Sequence, residues 1–230
     1  MSEFLKYRND KWNQFLEKYK VKETGVELFS HEDLQVIVNF YGKSNLPVLS
    51  RNSNMEDLII KEAKKLVLDF QNGKNQYEGL IYIMYSFNAD EISPLYIGKT
   101  EKLGKTSNLS ANIKSMENEH PSKYFFARWG NNYQYHIGDL SAVVIEGHKE
   151  KYKTKKYSKW ADALFESYPT TKPKLKHPIY FWCKAWHSED YGVWDEFGPA
   201  NLTFLEYQLI GIASALFPMN LLNSEGKNRS

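Results

Sequence analysis

Two apolar stretches near the middle of the chain constrain the fold most strongly. Residues 80–85 read Leu-Ile-Tyr-Ile-Met-Tyr and residues 95–98 read Leu-Tyr-Ile-Gly. Both are rich in aromatic and β-branched residues, which is typical of β-strands. The residues between them, 88–94, read Asn-Ala-Asp-Glu-Ile-Ser-Pro and are mostly turn formers. The sequence therefore predicts a β-hairpin with a long loop.

The segments around this hairpin indicate an α+β protein. Apolar residues at three- and four-residue spacing, together with capping residues, predict helices on both sides of it, and two further segments are typical of strands. The predicted helices cover residues 3–19, 30–40, 53–70, 108–118, 160–168 and 200–217, and the predicted strands cover residues 133–145, with a bend near Gly138, and 179–186. We expect a small central antiparallel or mixed sheet flanked by helices. Residues 1–76 would form a helical N-terminal extension, and residues 77–230 a second domain with a basic and aromatic insertion at about 149–199.

Cysteine content and hydropathy bear on the compartment. The single cysteine, Cys183, excludes an internal disulfide bond and fits a reducing environment. No apolar run approaches the roughly 20 residues of a membrane helix. The first residues do not read as an export signal. We expect a soluble, cytoplasmic protein that does not bind membranes.

The excess positive charge is concentrated in one segment. The whole chain has a formal net charge of +2, whereas residues 149–176 alone contain nine lysines and three acidic residues. Such a run is either a solvated surface or a surface that binds nucleic-acid phosphates. The interleaved aromatic residues Tyr152, Tyr157 and Trp160 favour the second reading slightly. The lysines expected to contact nucleic acid are Lys151, Lys153, Lys155, Lys156 and Lys159.

A set of motifs resembles the signature of the GIY-YIG nucleases. Leu80-Ile81-Tyr82 followed by Tyr96-Ile97-Gly98-Lys99 resembles the two halves of the family motif. Phe126-Ala127-Arg128 resembles its arginine segment, and Leu205-Glu206-Tyr207 followed by Pro218 and Asn223 resembles its metal-binding helix. The resemblance covers about residues 79–226. Leu80 replaces the first glycine of the motif, and Asn132 stands where the family has a histidine or tyrosine.

The resemblance implies a divergent, restriction-type endonuclease that cleaves DNA, and each chemical task has a candidate residue. Tyr82 or Tyr96 would deprotonate the attacking water if nearby positive charge, expected from Lys99, lowers its pKa from about 10. Arg128 would bind the phosphate through its planar donors. Glu206 would hold one Mg²⁺ (or Mn²⁺) ion, because magnesium binds through few carboxylates. Asn223 either fixes Glu206 or a backbone loop, or is an ordinary turn residue.

Several alternatives stay open at the level of sequence. His136 is either a second base or a packed core histidine. The aromatic residues Tyr180, Phe181, Trp182, Trp186, Tyr191 and Trp194 either stack on nucleobases or belong to the core. The chain could also be a nucleic-acid-binding module that keeps the scaffold without cleaving. The substrate expected is double-stranded DNA, and cutting both strands with one site per chain requires either a homodimer or sequential nicking.

Overall fold

The computed structural model describes residues 2–114 and 136–226. In these residues there are seven α-helices and eight β-strands. The helices are α1 (Glu3–Lys18), α2 (Val21–Thr24), α3 (Ser53–Gln71), α4 (Ala111–Lys114), α5 (Ile137–Val144), α6 (Lys155–Leu164) and α7 (Leu202–Leu216). The strands are β1 (Val26–Glu27), β2 (His31–Glu32), β3 (Gln35–Val36), β4 (Val38–Tyr41), β5 (Leu46–Leu49), β6 (Tyr77–Asn88), β7 (Glu91–Glu101) and β8 (Tyr180–His187).

Packing divides the chain into two compact units that interleave along the sequence. Unit 1 consists of residues 1–26, 58–114 and 180–230, and unit 2 consists of residues 27–57 and 115–179. The fold class is α+β, as predicted. The domain boundary expected at residues 76 and 77 stays a prediction.

A four-stranded antiparallel sheet of order β1-β8-β6-β7 is the centre of unit 1. Side chains of alternate residues line one face of it, where Ile81, Ile83 and Ile97 pack with Trp182 and Trp186. Helices α1 and α7 cover this face with buried apolar side chains, which include Trp12, Phe15, Leu205 and Leu209. Burying side chains of this size is worth about 1.5–3 kcal/mol each, so these two helices stabilise the sheet that carries the tyrosine motifs.

Buried acids of α3 tie this helix to the strands of unit 1. The Glu62 carboxylate accepts a hydrogen bond of 2.7 Å from the backbone N–H of Ala185 in β8. Asp69 forms a buried ion pair of 2.6 Å with Lys102 and accepts hydrogen bonds from the backbone N–H groups of Gln76 and Tyr77. These bonds fix the start of β6 and the end of β7.

Unit 2 contains two small hairpins, β2–β3 and β4–β5, and the helices α5 and α6. The Ser141 hydroxyl of α5 accepts a hydrogen bond of 3.0 Å from the backbone N–H of Leu49 and donates one of 2.6 Å to the carbonyl of Ile137. The buried face of α6 consists of Tyr157, Trp160, Ala161 and Leu164.

Two of the predicted elements are wrong. Residues 30–40 form strands rather than a helix, because the β-branched run Val36-Ile37-Val38 favours extended backbone and a turn with positive φ at Asp33 and Leu34 interrupts the chain. Residues 137–144 form helix α5 rather than a strand. Seven of its eight residues are buried, so the apolar run carries no periodicity by which a helix and a buried strand can be told apart.

The connection between β6 and β7 is also shorter than predicted. The strands extend to Asn88 and from Glu91, so only Ala89 and Asp90 form the turn, and both have positive φ. Two central residues of positive φ are the mark of the tight type I′ hairpin turn. The remaining predicted elements occur as α1, α3, α4, α6, β8 and α7, although α6 begins at Lys155, earlier than predicted.

Candidate active site

The hairpin brings the two motif tyrosines together on one face of the sheet. Tyr82 of β6 pairs with Gly98 of β7, so Tyr96 is its diagonal neighbour two residues away. The two rings are stacked with centroids 6.4 Å apart. A β-bulge between Met84 and Tyr85 shifts the register beside Tyr96. Bulges of this kind redirect neighbouring side chains.

Gly98 makes room for the ring of Tyr82. A Cβ atom added at Gly98 would lie 2.7 Å from three atoms of the Tyr82 ring, its hydroxyl oxygen included. Any larger residue would therefore move the ring. This close approach gives a physical reason for glycine in the Tyr-Ile-Gly motif of this chain.

Glu206 lies in the second turn of α7, and the start of that helix is held firmly. Asn201 caps it by accepting a hydrogen bond of 2.8 Å from the backbone N–H of Phe204. The Glu78 carboxylate accepts a second one, of 2.6 Å, from the backbone N–H of Leu202. Leu205 and Leu209 are fully buried, whereas Glu206 is half-buried. The helix is thus anchored by its apolar face while Glu206 stays at the margin of the core.

The Glu206 carboxylate meets the outer edge of β7. It accepts a hydrogen bond from the backbone N–H of Lys99, and the side chains of Lys99, Glu101 and Glu225 act on its charge. Burial raises the pKa of Glu206, the Lys99 ammonium and backbone N–H lower it, and the negative charges of Glu101 and Glu225 raise it further. The net effect is a pKa above the usual range for glutamate.

Asn223 binds the same edge of β7 at Ile97, two residues before Lys99. Its side-chain amide donates a hydrogen bond of 2.8 Å to the carbonyl of Ile97, and its oxygen accepts one of 3.0 Å from the N–H of the same residue. The backbone N–H of Leu222 donates to the carbonyl of Leu95 at 2.7 Å. Of the roles that the sequence left open for Asn223, the structure supports the one in which its side chain binds backbone groups. The residue that it binds is Ile97, which lies between Tyr96 and Gly98.

Lys99 does not lower the pKa of Tyr96. Burial raises the pKa of Tyr96 to about 12, and the charges of Glu206 and Glu225 raise it in the same direction. Residues three apart on a strand point to opposite faces, so Lys99 lies on the other side of the sheet, where its ammonium forms an ion pair with Glu101. The condition under which Tyr96 would act as a base at neutral pH is therefore not met.

The other predicted residues lie outside this cluster. Arg128 falls outside the described residues. The lysines of the basic segment belong to unit 2, where Lys151, Lys155, Lys156 and Lys159 are exposed and Lys153 forms an ion pair of 2.8 Å with Glu150. Tyr157 and Trp160 are buried in unit 2, so they are not exposed to nucleobases.

The two open questions about aromatic and histidine residues have clear outcomes. His136 contacts the Tyr157 hydroxyl through Nδ1, and burial followed by the charge of Lys156 lowers its pKa to about 3. It is a packed, neutral histidine. Phe181, Trp182 and Trp186 are core residues of unit 1, Tyr180 and Trp194 are partly buried and pack against the core, and Tyr191 is 41% exposed.

Three residues of the site were not predicted from the sequence. Glu101 pairs with Lys99, Glu78 fixes the start of α7, and Glu225 adds charge near Glu206. Only Glu101 left a readable signal, because a glutamate two residues after a lysine on a strand shares its face. Glu78 and Glu225 depend on contacts between distant segments.

A divalent cation fits Glu206. Its carboxylate is half-buried and lies near the negative charges of Glu101 and Glu225, so a cation would relieve an unfavourable concentration of charge. Within residues 2–114 and 136–226 no three His, Cys, Asp or Glu side chains form a ligand group. A site built on Glu206 would suit magnesium, which binds through few protein carboxylates and keeps several of its waters.

Comparison of the chain with protein-family models, curated proteins and solved structures finds no significant match. In the part of the chain that the structure describes, no helix is both long and apolar enough to cross a membrane.

Proposed function

We propose that the chain is a divalent-metal-dependent endonuclease that hydrolyses phosphodiester bonds of DNA. The proposal rests on one juxtaposition: Glu206 is bonded to the backbone of Lys99 on the same strand that carries Tyr96, and Tyr96 is stacked against Tyr82. Residues more than 120 positions apart in sequence thus provide a carboxylate, an ammonium group and two phenols within one unit. The resemblance of the same residues to the GIY-YIG motifs supports a restriction or defence role.

The residues have distinct proposed tasks. Tyr82, as its phenolate, accepts the proton of the attacking water and becomes a neutral phenol. Tyr96, which stays protonated at neutral pH because its pKa is about 12, donates a hydrogen bond to a phosphate oxygen. Arg128 binds the phosphate through its planar donors. Glu206 would hold a Mg²⁺ or Mn²⁺ ion, which when bound lowers the pKa of a coordinated water and offsets the negative charge on the phosphate.

The lysines of unit 2 are proposed to contact the DNA backbone. Four of them are exposed, and two of these, Lys155 and Lys159, are four residues apart on the same face of α6. Contacts of this kind supply affinity that does not depend on base sequence.

The alternative, a nucleic-acid-binding module without cleavage, has one observation in its favour. Lys99 lies on the face of the sheet opposite to Tyr96, and its ion pair with Glu101 offsets its positive charge, which makes activation of a phenol by this lysine harder. Such a module would bind DNA through the same lysines but would leave it intact.

We further propose a cytoplasmic location. Cys183 is buried in the sheet of unit 1, and burial raises the pKa of its thiol. A single protonated, inaccessible thiol cannot form a disulfide bond within the chain, so the protein gains no stability from an oxidising compartment.

Incubation of the purified chain with supercoiled plasmid, with and without Mg²⁺, tests the proposal. We expect cleavage only with the metal. Glu206→Gln should reduce the rate at least about 100-fold, because even indirect partners of a metal site cost about 10–100-fold when they are lost. Glu189→Gln is the matched control, since this glutamate belongs to the same unit and is 86% exposed.

Each outcome separates the candidates. Discrete fragments support a restriction-type enzyme, and random nicking supports an unspecific nuclease. DNA binding without cleavage by the folded wild-type protein supports the binding module. Equal cleavage by wild type and Glu206→Gln would exclude Glu206 as the metal ligand.

A further inference from the structure

An apolar groove opens on the surface of unit 1, away from the tyrosine pair in sequence but on the helix that carries Glu206. Its volume is about 540 Å³, and it is lined by Tyr7, Trp194, Glu196, Phe197, Phe204 and Gln208. These residues come from α1, from the segment around the short 3₁₀ helix Asp195–Phe197, and from α7. The indole N–H of Trp194 donates a hydrogen bond of 3.1 Å to the Tyr7 hydroxyl, which fixes the base of the groove.

Further exposed aromatic side chains lie on the same two helices. The exposed fractions are 79% for Phe4, 49% for Tyr7, 72% for Phe197, 46% for Phe204 and 54% for Tyr207. Phe4 and Tyr7 are three residues apart on α1, and Phe204 and Tyr207 are three apart on α7, so each pair shares one helix face. We call these five residues and Trp194 the aromatic surface.

The aromatic surface supplies a large part of the area that an interface between proteins needs. Its five most exposed side chains together leave about three whole aromatic side chains in water, on the order of 450–750 Å² at 150–250 Å² each. A monomer seldom exposes more than about 300–600 Å² of contiguous apolar area. A stable complex buries about 800 Å² per partner, with an aromatic centre inside a polar rim.

The charged residues at the margin of the aromatic surface indicate whether its partner is a protein or a nucleic acid. Lys11 forms an ion pair of 3.0 Å with Glu196, and Lys18 forms one of 2.8 Å with Asp195. Because each carboxylate is paired with a lysine of the same chain, these four side chains carry no net charge and provide no positive surface for a phosphate backbone. Two copies of such a margin can meet without repulsion between like charges, as a two-fold contact between identical surfaces requires.

We propose that a second copy of this chain docks on the aromatic surface and forms a two-fold symmetric dimer. Since Phe204, Glu206 and Tyr207 belong to one helix, the dimer would place two Glu206-bearing helices at one interface. In this way one particle would hold the two sites that cleavage of both strands needs, a consequence that rests on the proposed endonuclease function. The interface itself does not depend on that function.

Sedimentation equilibrium of the full chain, without DNA or metal, tests the dimer over about 1–100 µM, where mass action reveals a micromolar association. We expect the wild type to dimerise. Phe197→Glu should weaken the association at least about 100-fold, because a two-fold interface contains the change twice and places it at an apolar centre. Phe40→Glu is the matched control: Phe40 is 60% exposed but belongs to unit 2, and the variant should dimerise like the wild type.

The experiment distinguishes failure of the proposed dimer from failure of the proposed endonuclease function. A wild type that stays monomeric throughout the range, or a Phe197→Glu variant that dimerises normally, overturns the proposal. So does a Phe197→Glu variant that loses affinity for a single-stranded oligonucleotide with its oligomeric state unchanged, since the surface would then bind bases. Glu206→Gln should remain dimeric even if it does not cleave DNA. If the wild type dimerises but never cleaves DNA, the proposed interface stands and only the proposed nuclease function fails.

Discussion

Tyr82 and Tyr96 are similar in sequence context but differ in their surroundings. Tyr96 faces the negative charges of Glu206 and Glu225, and together with burial these keep its pKa at about 12. It is therefore a hydrogen-bond donor throughout the physiological range. The proposed base is Tyr82, whose ring lies over Gly98 and between Tyr96 and Phe181.

Substitution of the two phenols by Phe should affect cleavage unequally. Tyr82→Phe should reduce the single-turnover rate by about 10²–10⁴, the usual loss when a general base is removed. Tyr96→Phe should cost less, because it removes a donor and not the base. Both variants keep the packed ring, so their melting temperatures should stay close to that of the wild type.

The pH profile distinguishes the roles. A rise in rate with pH between about 6 and 9 should persist in Tyr96→Phe, because a group with a pKa of about 12 does not titrate there. If the rise disappears only in Tyr96→Phe, the two roles are reversed. If both variants cleave normally, neither hydroxyl takes part.

Gly98 offers a test of the close approach beneath the Tyr82 ring. Gly98→Ala should destabilise the protein by about 1–3 kcal/mol, the usual cost of overpacking, because the new methyl group would lie 2.7 Å from the ring. Urea unfolding measures this loss. Gly211→Ala on α7 is the control, because nothing lies within 4 Å of a Cβ there. In a Tyr82→Ala background the change at Gly98 should cost little, and an undiminished cost would show that the ring is not the obstacle.

At the scale of elements, the edge strand β7 is fixed along both of its edges. Its inner side pairs with β6, while its outer edge is bonded by Leu222, Asn223 and Glu206. Unpaired edge strands invite association with other chains. Here the polar groups from Leu95 to Lys99 are occupied by the protein's own C-terminal segment and by α7, which also sets the position of the proposed metal ligand relative to Tyr96.

Helix α6 has a packed face and an exposed, charged face. Tyr157, Trp160 and Leu164 point into unit 2, and Lys155, Lys156 and Lys159 are exposed. In the sequence the lysines and aromatic residues are interleaved. In the helix the aromatic residues lie on the packed side and the lysines on the exposed side.

Replacing Lys155, Lys156 and Lys159 with Ala should weaken DNA binding for all sequences alike. Each lost phosphate contact should reduce the slope of log affinity against log salt by about 0.9, because fewer counterions are released. Fluorescence anisotropy at several salt concentrations measures the slope. A control variant with Lys6, Lys61 and Lys74 replaced removes the same charge from unit 1, and an equal slope for both variants would mean that α6 makes no special contact.

At the scale of the whole molecule, buried histidines make the stability of unit 2 depend on pH. Unit 2 contains three histidines whose pKa values burial lowers: His136, to about 3, His148 and His177. The unfolded chain binds protons at these residues below about pH 6.5, whereas the folded unit does so only at lower pH. Stability is therefore fully present above pH 6.5 and falls as the pH drops from there toward 3.

Unit 2 should accordingly loosen first in mild acid. His136 alone should cost on the order of 2 kcal/mol between pH 7 and pH 5, because it stays neutral in the folded state over that range. Hydrogen exchange, corrected for its intrinsic pH dependence, should show lower protection of α5 and α6 at pH 5. Unchanged protection in these two helices would mean that the histidines are not kept neutral by the fold.

The sequence determined the elements whose signal is local. Amphipathic spacing was enough for α1, α3 and α7, and the content of β-branched and aromatic residues was enough for β6, β7 and β8, because these patterns reflect which face of an element must be buried. The sequence did not predict α5, because a helix that is buried on every side has no amphipathic pattern. It also did not predict the hairpins of residues 31–49, because the polar residues of a turn resemble a helix cap.

Only the tertiary structure decided how the chemical groups meet. The resemblance to the family motifs gave Tyr82, Tyr96, Lys99 and Glu206 as candidates, but not the bond of Glu206 to the backbone of Lys99 or the bonds of Asn223 to Ile97. These features arise from contacts between segments more than 100 residues apart. The protonation of Tyr96 follows from them, because a pKa is set by burial and by charges that are near in space rather than in sequence.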